Sequence, residues 1–269
     1  MIDRREGIRT IGSSSSSTPN LLAGHNAVVT GSGRGNGRAI AIGLAAAGAV
    51  VAVADINIDS AVATAAQITQ TGGRAFALRW DITDATAAQA AVESIHAQLG
   101  TVSILINNAG VEGGGIAGNP GFLDGLHRVF DVNVTGTARV TDALVPDLKM
   151  SRGCIVNITS MMAHIAYQPG AAAYSAAKAA LNQWTRSLAI DLAPHGVRVN
   201  AVAPGFFLTA MTEGTRSDPT RMAYFESRTP MKRMGDPSEL VGPVIFLASG
   251  LASYVTGVVI PVDGGLVAN

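Results

Sequence analysis

Ala27-Val28-Val29-Thr30-Gly31-Ser32-Gly33-Arg34-Gly35-Asn36-Gly37 is a short apolar run that opens into a turn crowded with glycine. Helical spacing follows as far as Gly48. A glycine turn between a hydrophobic strand and a helix is the context that lifts such a motif above chance. Glycines let the backbone turn tightly and approach a ligand closely. The helix start offers free N–H groups and a partial positive charge, which suits a pyrophosphate. Gly31, Gly35 and Gly37 give G-x-x-x-G-x-G with Gly33 extra, a spacing that differs from G-x-G-x-x-G. Tight packing alone would also account for a loop this rich in glycine.

Outward from this turn, short β-branched runs alternate with helical stretches. Strands are expected at Ala49–Ala54, Ala75–Arg79, Val102–Ile106, Ile155–Ile158, Val197–Val202 and Val258–Val262. Helices are expected over Ser60–Thr71, Ala85–Leu99, about 123–148, about 172–193 and Pro237–Leu247, with Pro204–Gly235 mostly irregular. That alternation predicts an α/β fold, a doubly wound parallel sheet of seven strands with helices on both faces. No gap suggests a domain break, so residues 22–269 are one domain. Residues 1–21 hold Arg4, Arg5, Arg9 and the serines 13–17, and read as a flexible N-terminal extension.

A chain of 269 residues with 48% hydrophobic and 14% charged residues has material for a large core. Its net charge of +0 supplies no field for nucleic acid or anionic lipid. No apolar run reaches membrane-spanning length. The lone cysteine, Cys154, cannot pair internally and points to a reducing, cytoplasmic setting. The five histidines are scattered without ligand spacing, so no metal site is expected.

Ser160 closes the strand that begins at Ile155, and the next helix carries Tyr174 and Lys178. Residues four apart share a helix face, so the phenol and the ammonium stand one turn apart. Bringing a tyrosine from about 10 to about 7 takes roughly 4 kcal/mol of preference for phenolate, within reach of a close lysine plus a cationic ring. A surface Tyr–Lys pair is the plainer alternative. Asp55, with Ile56 behind it, ends the second strand, where an adenosine ribose would lie. A carboxylate there accepts from both ribose hydroxyls and repels a 2′-phosphate, favouring NAD over NADP. Arg34 points the other way, unless it pairs with Asp55 or stacks on adenine.

Taken together, Thr30-Gly31-x-x-x-Gly35-x-Gly37, Asn107-Asn108-Ala109-Gly110, Asn133, Ser160, Tyr174-x-x-x-Lys178, Asn200, Pro204-Gly205 and Asp263-Gly264-Gly265 resemble the short-chain dehydrogenase/reductase family from about Leu22 onward. The resemblance implies a Rossmann-type sheet and a tetrad of Asn133, Ser160, Tyr174 and Lys178. In that tetrad Tyr174 exchanges the proton and Ser160 holds the substrate oxygen. Lys178 binds the nicotinamide ribose and lowers Tyr174, while the Asn133 backbone holds a water. It also puts Asp81 and Ile82 at the adenine, Asn107 and Gly110 on the cofactor floor, and Phe207 and Thr209 at the carboxamide.

Two positions depart from the family pattern. Asn36 stands where an aliphatic residue is usual, and the Ser160–Tyr174 separation is about one residue longer than is common, implying a bulge near 167–170. The substrate lid is expected at about 205–234. Its apolar residues imply a secondary alcohol, polyol or ketone, a small-molecule partner. Glu112 borders the pocket, able to bind a hydroxyl-rich substrate or simply be solvated, and His164 reads as a hydrogen-bonded loop residue. Alternatives are an NADPH-dependent 3-oxoacyl-(acyl-carrier-protein) reductase and a non-catalytic NAD sensor. A homo-oligomer is expected, a tetramer before a dimer.

Overall fold

The computed structural model describes residues 20–269. The expected N-terminal extension lies outside the described residues except for its last two positions, of which Leu21 packs beside the core. The elements run β1 (Asn26–Thr30), α1 (Gly35–Ala46), β2 (Val50–Asp55), α2 (Ile58–Gln70), β3 (Arg74–Arg79), α3 (Ala87–Leu99) and β4 (Ile104–Asn107). Next come α4 (Phe122–Phe130), α5 (Thr137–Ser151), β5 (Cys154–Ile158), α6 (Ala172–Leu192) and β6 (Arg198–Pro204). The chain ends with α7 (Glu213–Arg216), α8 (Pro219–Arg228), α9 (Val241–Ala248) and β7 (Val259–Val262).

Every strand pair is parallel, in the order β3-β2-β1-β4-β5-β6-β7. Side chains alternate across a strand, so a sheet covered on both faces needs apolar residues at every position. The central strands meet that demand. Ala27 and Val29 enter one core cluster and Val28 the other; Ile104 and Ile106 oppose Leu105 in the same way. The first cluster gathers Ile40 and Leu44 of α1, Ile68 of α2 and Val244 of α9. The second gathers Ile95 of α3, Leu144 of α5 and Leu192 of α6. Burying each such side chain contributes about 2 kcal/mol. The strand order reverses between β1 and β4, which opens a crevice beyond their carboxyl ends.

Two stretches differ from the sequence expectation. The long helix expected over about 123–148 is broken by a π-helical turn at Asp131–Gly136, which separates α4 from α5 and carries Asn133. A π turn inserts one residue into the helical ladder and re-aims what it holds. Pro204–Gly235, expected to be mostly irregular, contains α7 and α8. Asp218 caps α8 by accepting from Thr220 and Arg221 at 2.9 and 3.2 Å, with Pro219 in the first turn. Asp before Pro is a helix-start signal that the mixed composition of this stretch obscures.

Candidate active site

The glycine turn follows β1, and each glycine there has its own reason. A Cβ on Gly31 (φ +61°) would lie 2.8 Å from the Ala109 Cα, and one on Gly37 would lie 2.3 Å from the Gly31 carbonyl oxygen. These two allow the close packing of β1, α1 and the loop after β4. Gly35 (φ +55°) is different, since a Cβ there would meet nothing nearer than Thr209 at 3.5 Å. The backbone at Gly35 thus faces open space, with Thr209 across it. Arg34, at the helix N-cap, makes no side-chain cap, and the first turn of α1 holds no acidic residue. Its free N–H groups are unspent, which fits a pyrophosphate. The Asn36 side-chain oxygen is buried there without a hydrogen-bond partner.

Asp55 ends β2 beside this turn. Its two carboxylate oxygens accept from the backbone N–H groups of Gly33 at 2.8 Å and Asn57 at 3.0 Å. Arg38 and Thr64 hold the Gly33 carbonyl from the other side. Arg34 is exposed and forms no ion pair with Asp55, which leaves stacking on adenine of the two alternatives raised from sequence. Ile56 is 60% exposed. A ribose diol fits a carboxylate that keeps lone pairs free on both oxygens.

Ser160, Tyr174 and Lys178 converge across the β5–α6 connection. The Lys178 Nζ, almost wholly buried, donates to the Ile158 carbonyl at 2.9 Å and lies 5.7 Å from the centre of the Tyr174 ring. Burial lowers its ammonium to about 8. Ser160 caps the short turn after β5, accepting from the Met162 N–H at 3.1 Å. Burial pushes the Tyr174 phenol up to about 12, against the pull of the nearby Ser160 hydroxyl and with a further push from the Glu112 charge. The lowering of Tyr174 expected from the sequence counts on a cationic ring beside the phenol as well as on Lys178. The phenol stands high because desolvation outweighs the pull of the Ser160 hydroxyl.

Asn133 is fully buried beneath this group. Its amide accepts from the Val111 N–H and donates to the Val111 carbonyl, both at 2.8 Å. Its own carbonyl accepts from the Thr137 hydroxyl at 2.8 Å. The π turn and the loop after β4 are thereby tied together.

Other positions separate from their expected roles. The Asn107 side chain is buried and donates to Thr141 at 3.0 Å and Asn157 at 2.9 Å. The Phe207 ring is likewise buried, in the first core cluster and against Gly235, so only its backbone is left for a ligand. The Ile82 side chain packs on Gly136 in the core, and Asp81 accepts from Thr83 at 2.7 and 2.9 Å. Gly110 lies close to Asn133 and Lys178, and Pro204 ends β6 paired with Val262. A Cβ on Gly205 would overlap Asp263. His164 pairs with Asn182 at 3.2 Å, as a satisfied loop residue does.

Sequence reasoning missed the polar ladder Thr141–Asn107–Asn157–Thr185 and the role of Thr30, whose hydroxyl accepts from Asn108 and Ala109 at 3.1 Å. Asparagines and a threonine inside otherwise apolar strands were the available signal. Past β6, Phe206, Phe225, Met161, Met162 and Met234 form a separate apolar cluster with Tyr167 and Tyr174 beside it. The Tyr167 ring packs against Phe206 at 4.9 Å and Tyr224 at 5.5 Å between centroids, filling the segment expected to bulge. Among the described residues, no group of three His, Cys, Asp or Glu gathers, and no helix is long and apolar enough to cross a membrane.

A parallel sheet with a glycine turn at its switch point and a Ser–Tyr–Lys group defines a dinucleotide-dependent oxidoreductase architecture. This chain belongs to the short-chain dehydrogenase/reductase family, oxidoreductases of CH–OH groups that use NAD(P). Residues 31–267 match the family model described as enoyl-(acyl carrier protein) reductase. The 5-keto-D-gluconate 5-reductase of Escherichia coli K12 is 34% identical over 250 residues, covering 91% of this chain and 96% of that one. A gluconate 5-dehydrogenase from Burkholderia cenocepacia, solved with NADP and tartrate, superposes with a TM-score of 0.87 at 34% identity, over 94% of this chain and 98% of that one. A 7α-hydroxysteroid dehydrogenase solved with NADH and 7-oxoglycochenodeoxycholic acid also gives 0.87, at 36% identity over 91% and 96% of the two chains.

Proposed function

We propose that this protein is an NAD-dependent dehydrogenase that interconverts a secondary alcohol or polyol with its ketone, with Tyr174 as the acid/base. The observation that carries this reading is the convergence of Ser160, Tyr174 and Lys178 above a fully buried Asn133. The nicotinamide supplies the hydride acceptor or donor when bound, and its cationic form beside the phenol favours phenolate. Ser160 holds the substrate oxygen. Tyr174 gives that oxygen a proton in reduction and takes it in oxidation. Lys178 holds the nicotinamide ribose, and the Asn133 backbone holds a water that links Lys178 to solvent. The unspent N–H groups of α1 hold the pyrophosphate.

Asp55 supports NAD over NADP, because its charge sits where a 2′-phosphate would lie. The lid is residues 205–234, tied at its base by two backbone bonds of 2.9 Å, from Leu208 N–H to the Gly235 carbonyl and from Gly235 N–H to the Phe206 carbonyl. Met150 on α5 and Ile190 on α6, 75% and 76% exposed, suit burial between copies in a homo-oligomer, a tetramer before a dimer. The test is absorbance of reduced nicotinamide over alcohols, polyols, ketones and 3-oxoacyl thioesters, with each cofactor, beside Tyr174→Phe. NAD-linked turnover of an alcohol or ketone that is lost in the variant is expected. Turnover confined to NADPH and oxoacyl thioesters would overturn the reading.

A further inference from the structure

Three ring contacts fasten α8 of the lid onto the segment between Ser160 and Tyr174. The buried Phe225 meets Phe206 at 5.0 Å between centroids, Phe206 meets Tyr167 at 4.9 Å, and Tyr167 meets Tyr224 at 5.5 Å. Tyr167 and Tyr174 both pack on the apolar cluster that holds Met161, Met162 and Phe206, so the two phenols border one apolar region. The Tyr167 hydroxyl oxygen is buried there without a hydrogen-bond partner. A phenol left unpaired in an apolar wall serves the fold less well than a phenylalanine, unless a ligand pairs it.

Arg228 ends α8 four residues after Tyr224, on the helix face that carries the Tyr224 ring to Tyr167. The other basic residues of the lid are engaged. Arg216 pairs with Glu213, Arg221 with Asp218 at 3.3 Å and Arg233 with Glu239 at 2.7 Å. Lys232 donates to the carbonyls of Glu226 and Ser227 at 2.8 and 3.1 Å. The half-buried Arg228 guanidinium forms no ion pair among the described residues. Burial raises the Tyr167 phenol to about 12, Tyr224 adds to the rise, and the Arg228 charge opposes it, as a cation near that hydroxyl does.

Resting on the reading of Tyr174 as the acid/base, we infer that Arg228 and the Tyr167 hydroxyl form a carboxylate subsite. The substrate is then a hydroxy acid or its keto acid, with the carboxylate held at the lid and the reacting carbon at Tyr174. A guanidinium and a phenol O–H are both donors, and a carboxylate accepts from both. One guanidinium balances one carboxylate charge, whereas a phosphate dianion calls for a second cation. The aromatic surroundings keep water from screening the pair. The Glu112 carboxylate, whose charge raises Tyr174, comes from the loop after β4, and it favours the orientation in which the acid end of the substrate points to the lid.

The experiment compares levulinate and 5-oxohexanoate with their neutral methyl esters, on the full-length protein and on Arg228→Gln, Arg228→Lys and Tyr167→Phe. The readout is the acid-to-ester preference. It is taken in kcat/KM where a pair turns over, and in Kd from quenching of bound NADH fluorescence where it does not. The expected preference is about tenfold in the unaltered protein, largely kept in Arg228→Lys and lost in Arg228→Gln, mostly through KM. Tyr167→Phe should lower it about threefold while keeping or raising Tm, because the hydroxyl it removes has no partner in the fold. An acid bound no better than its ester by the unaltered protein would overturn the inference, as would a preference that survives in Arg228→Gln. A Tm that falls by several degrees in Tyr167→Phe would also overturn it, by giving the hydroxyl a structural role. Absence of turnover on every ketone counts against the oxidoreductase reading alone, since the binding ratio still decides the subsite.

Discussion

Lys178 donates its ammonium to the Ile158 carbonyl at 2.9 Å while only 4% exposed, so a site built for chemistry carries a buried charge. Burial sets its pKa at about 8, below the ordinary lysine value near 10.5. A base depressed on folding favours its neutral form in the native state. Its destabilising effect is therefore full below about 8 and relieved as pH rises toward 10.5. Over that window Lys178 should restore up to roughly 3 kcal/mol. Lys178→Met should be more stable than the unaltered protein by about 1–2 kcal/mol at neutral pH, after the loss of one hydrogen bond. Urea unfolding of both proteins across the pH range checks this; a less stable variant at neutral pH would refute it.

Tyr174 is pushed up to about 12, so without a cofactor it is a protonated acid throughout the neutral range. Ketone reduction uses that proton directly, whereas alcohol oxidation needs the phenolate. Oxidation is expected to climb with pH and reduction to fall in the same interval. Tyr174→Phe should lose about 10²–10⁴ in kcat in both directions while binding NADH within roughly threefold. Parallel pH profiles for the two directions would contradict the assignment.

How much of this is legible in the sequence follows from where the signals lie. The sheet is readable because Ala27–Val29 and Ile155–Val156 are apolar at every position, as a strand covered on both faces requires. Tyr174 and Lys178 are readable because helical spacing alone puts them on one face. The π turn is not: the Asn133 it carries finds its partner in Val111, 22 residues away in the chain. The inward turn of Asn107 is equally hidden: its partners lie 34 and 50 positions away. The motif places Phe207 in the site, but Gly235 offers its ring a seat in the core.

The ladder Thr141–Asn107–Asn157–Thr185 crosses the sheet interior with bonds of 2.9–3.0 Å. Removing Asn157 takes one partner from the Asn107 amide and the donor from the Thr185 hydroxyl, which keeps its 2.7 Å bond to the Leu181 carbonyl. Asn157→Ala should cost about 2–4 kcal/mol, and Thr185→Val about 1–2 kcal/mol. The double variant should cost less than the sum, because Thr185 loses its partner in either case. Chemical denaturation of the three variants measures the coupling; strict additivity would mean that the ladder does not act as a unit.

Asp55 accepts from the Gly33 and Asn57 N–H groups through separate oxygens, which fixes its charge at the expected ribose position. Asp55→Ser removes the charge and opens space there. The two N–H groups that the carboxylate now engages would then face a 2′-phosphate as donors, with the exposed Arg34 nearby. The variant is expected to gain about 10- to 100-fold in kcat/KM with NADP and to lose about tenfold with NAD. Steady-state kinetics with both cofactors on one alcohol gives the ratio directly. A preference that stays unchanged would show that cofactor choice lies elsewhere in the turn, with Arg34→Ala as the variant that then loses NADP activity.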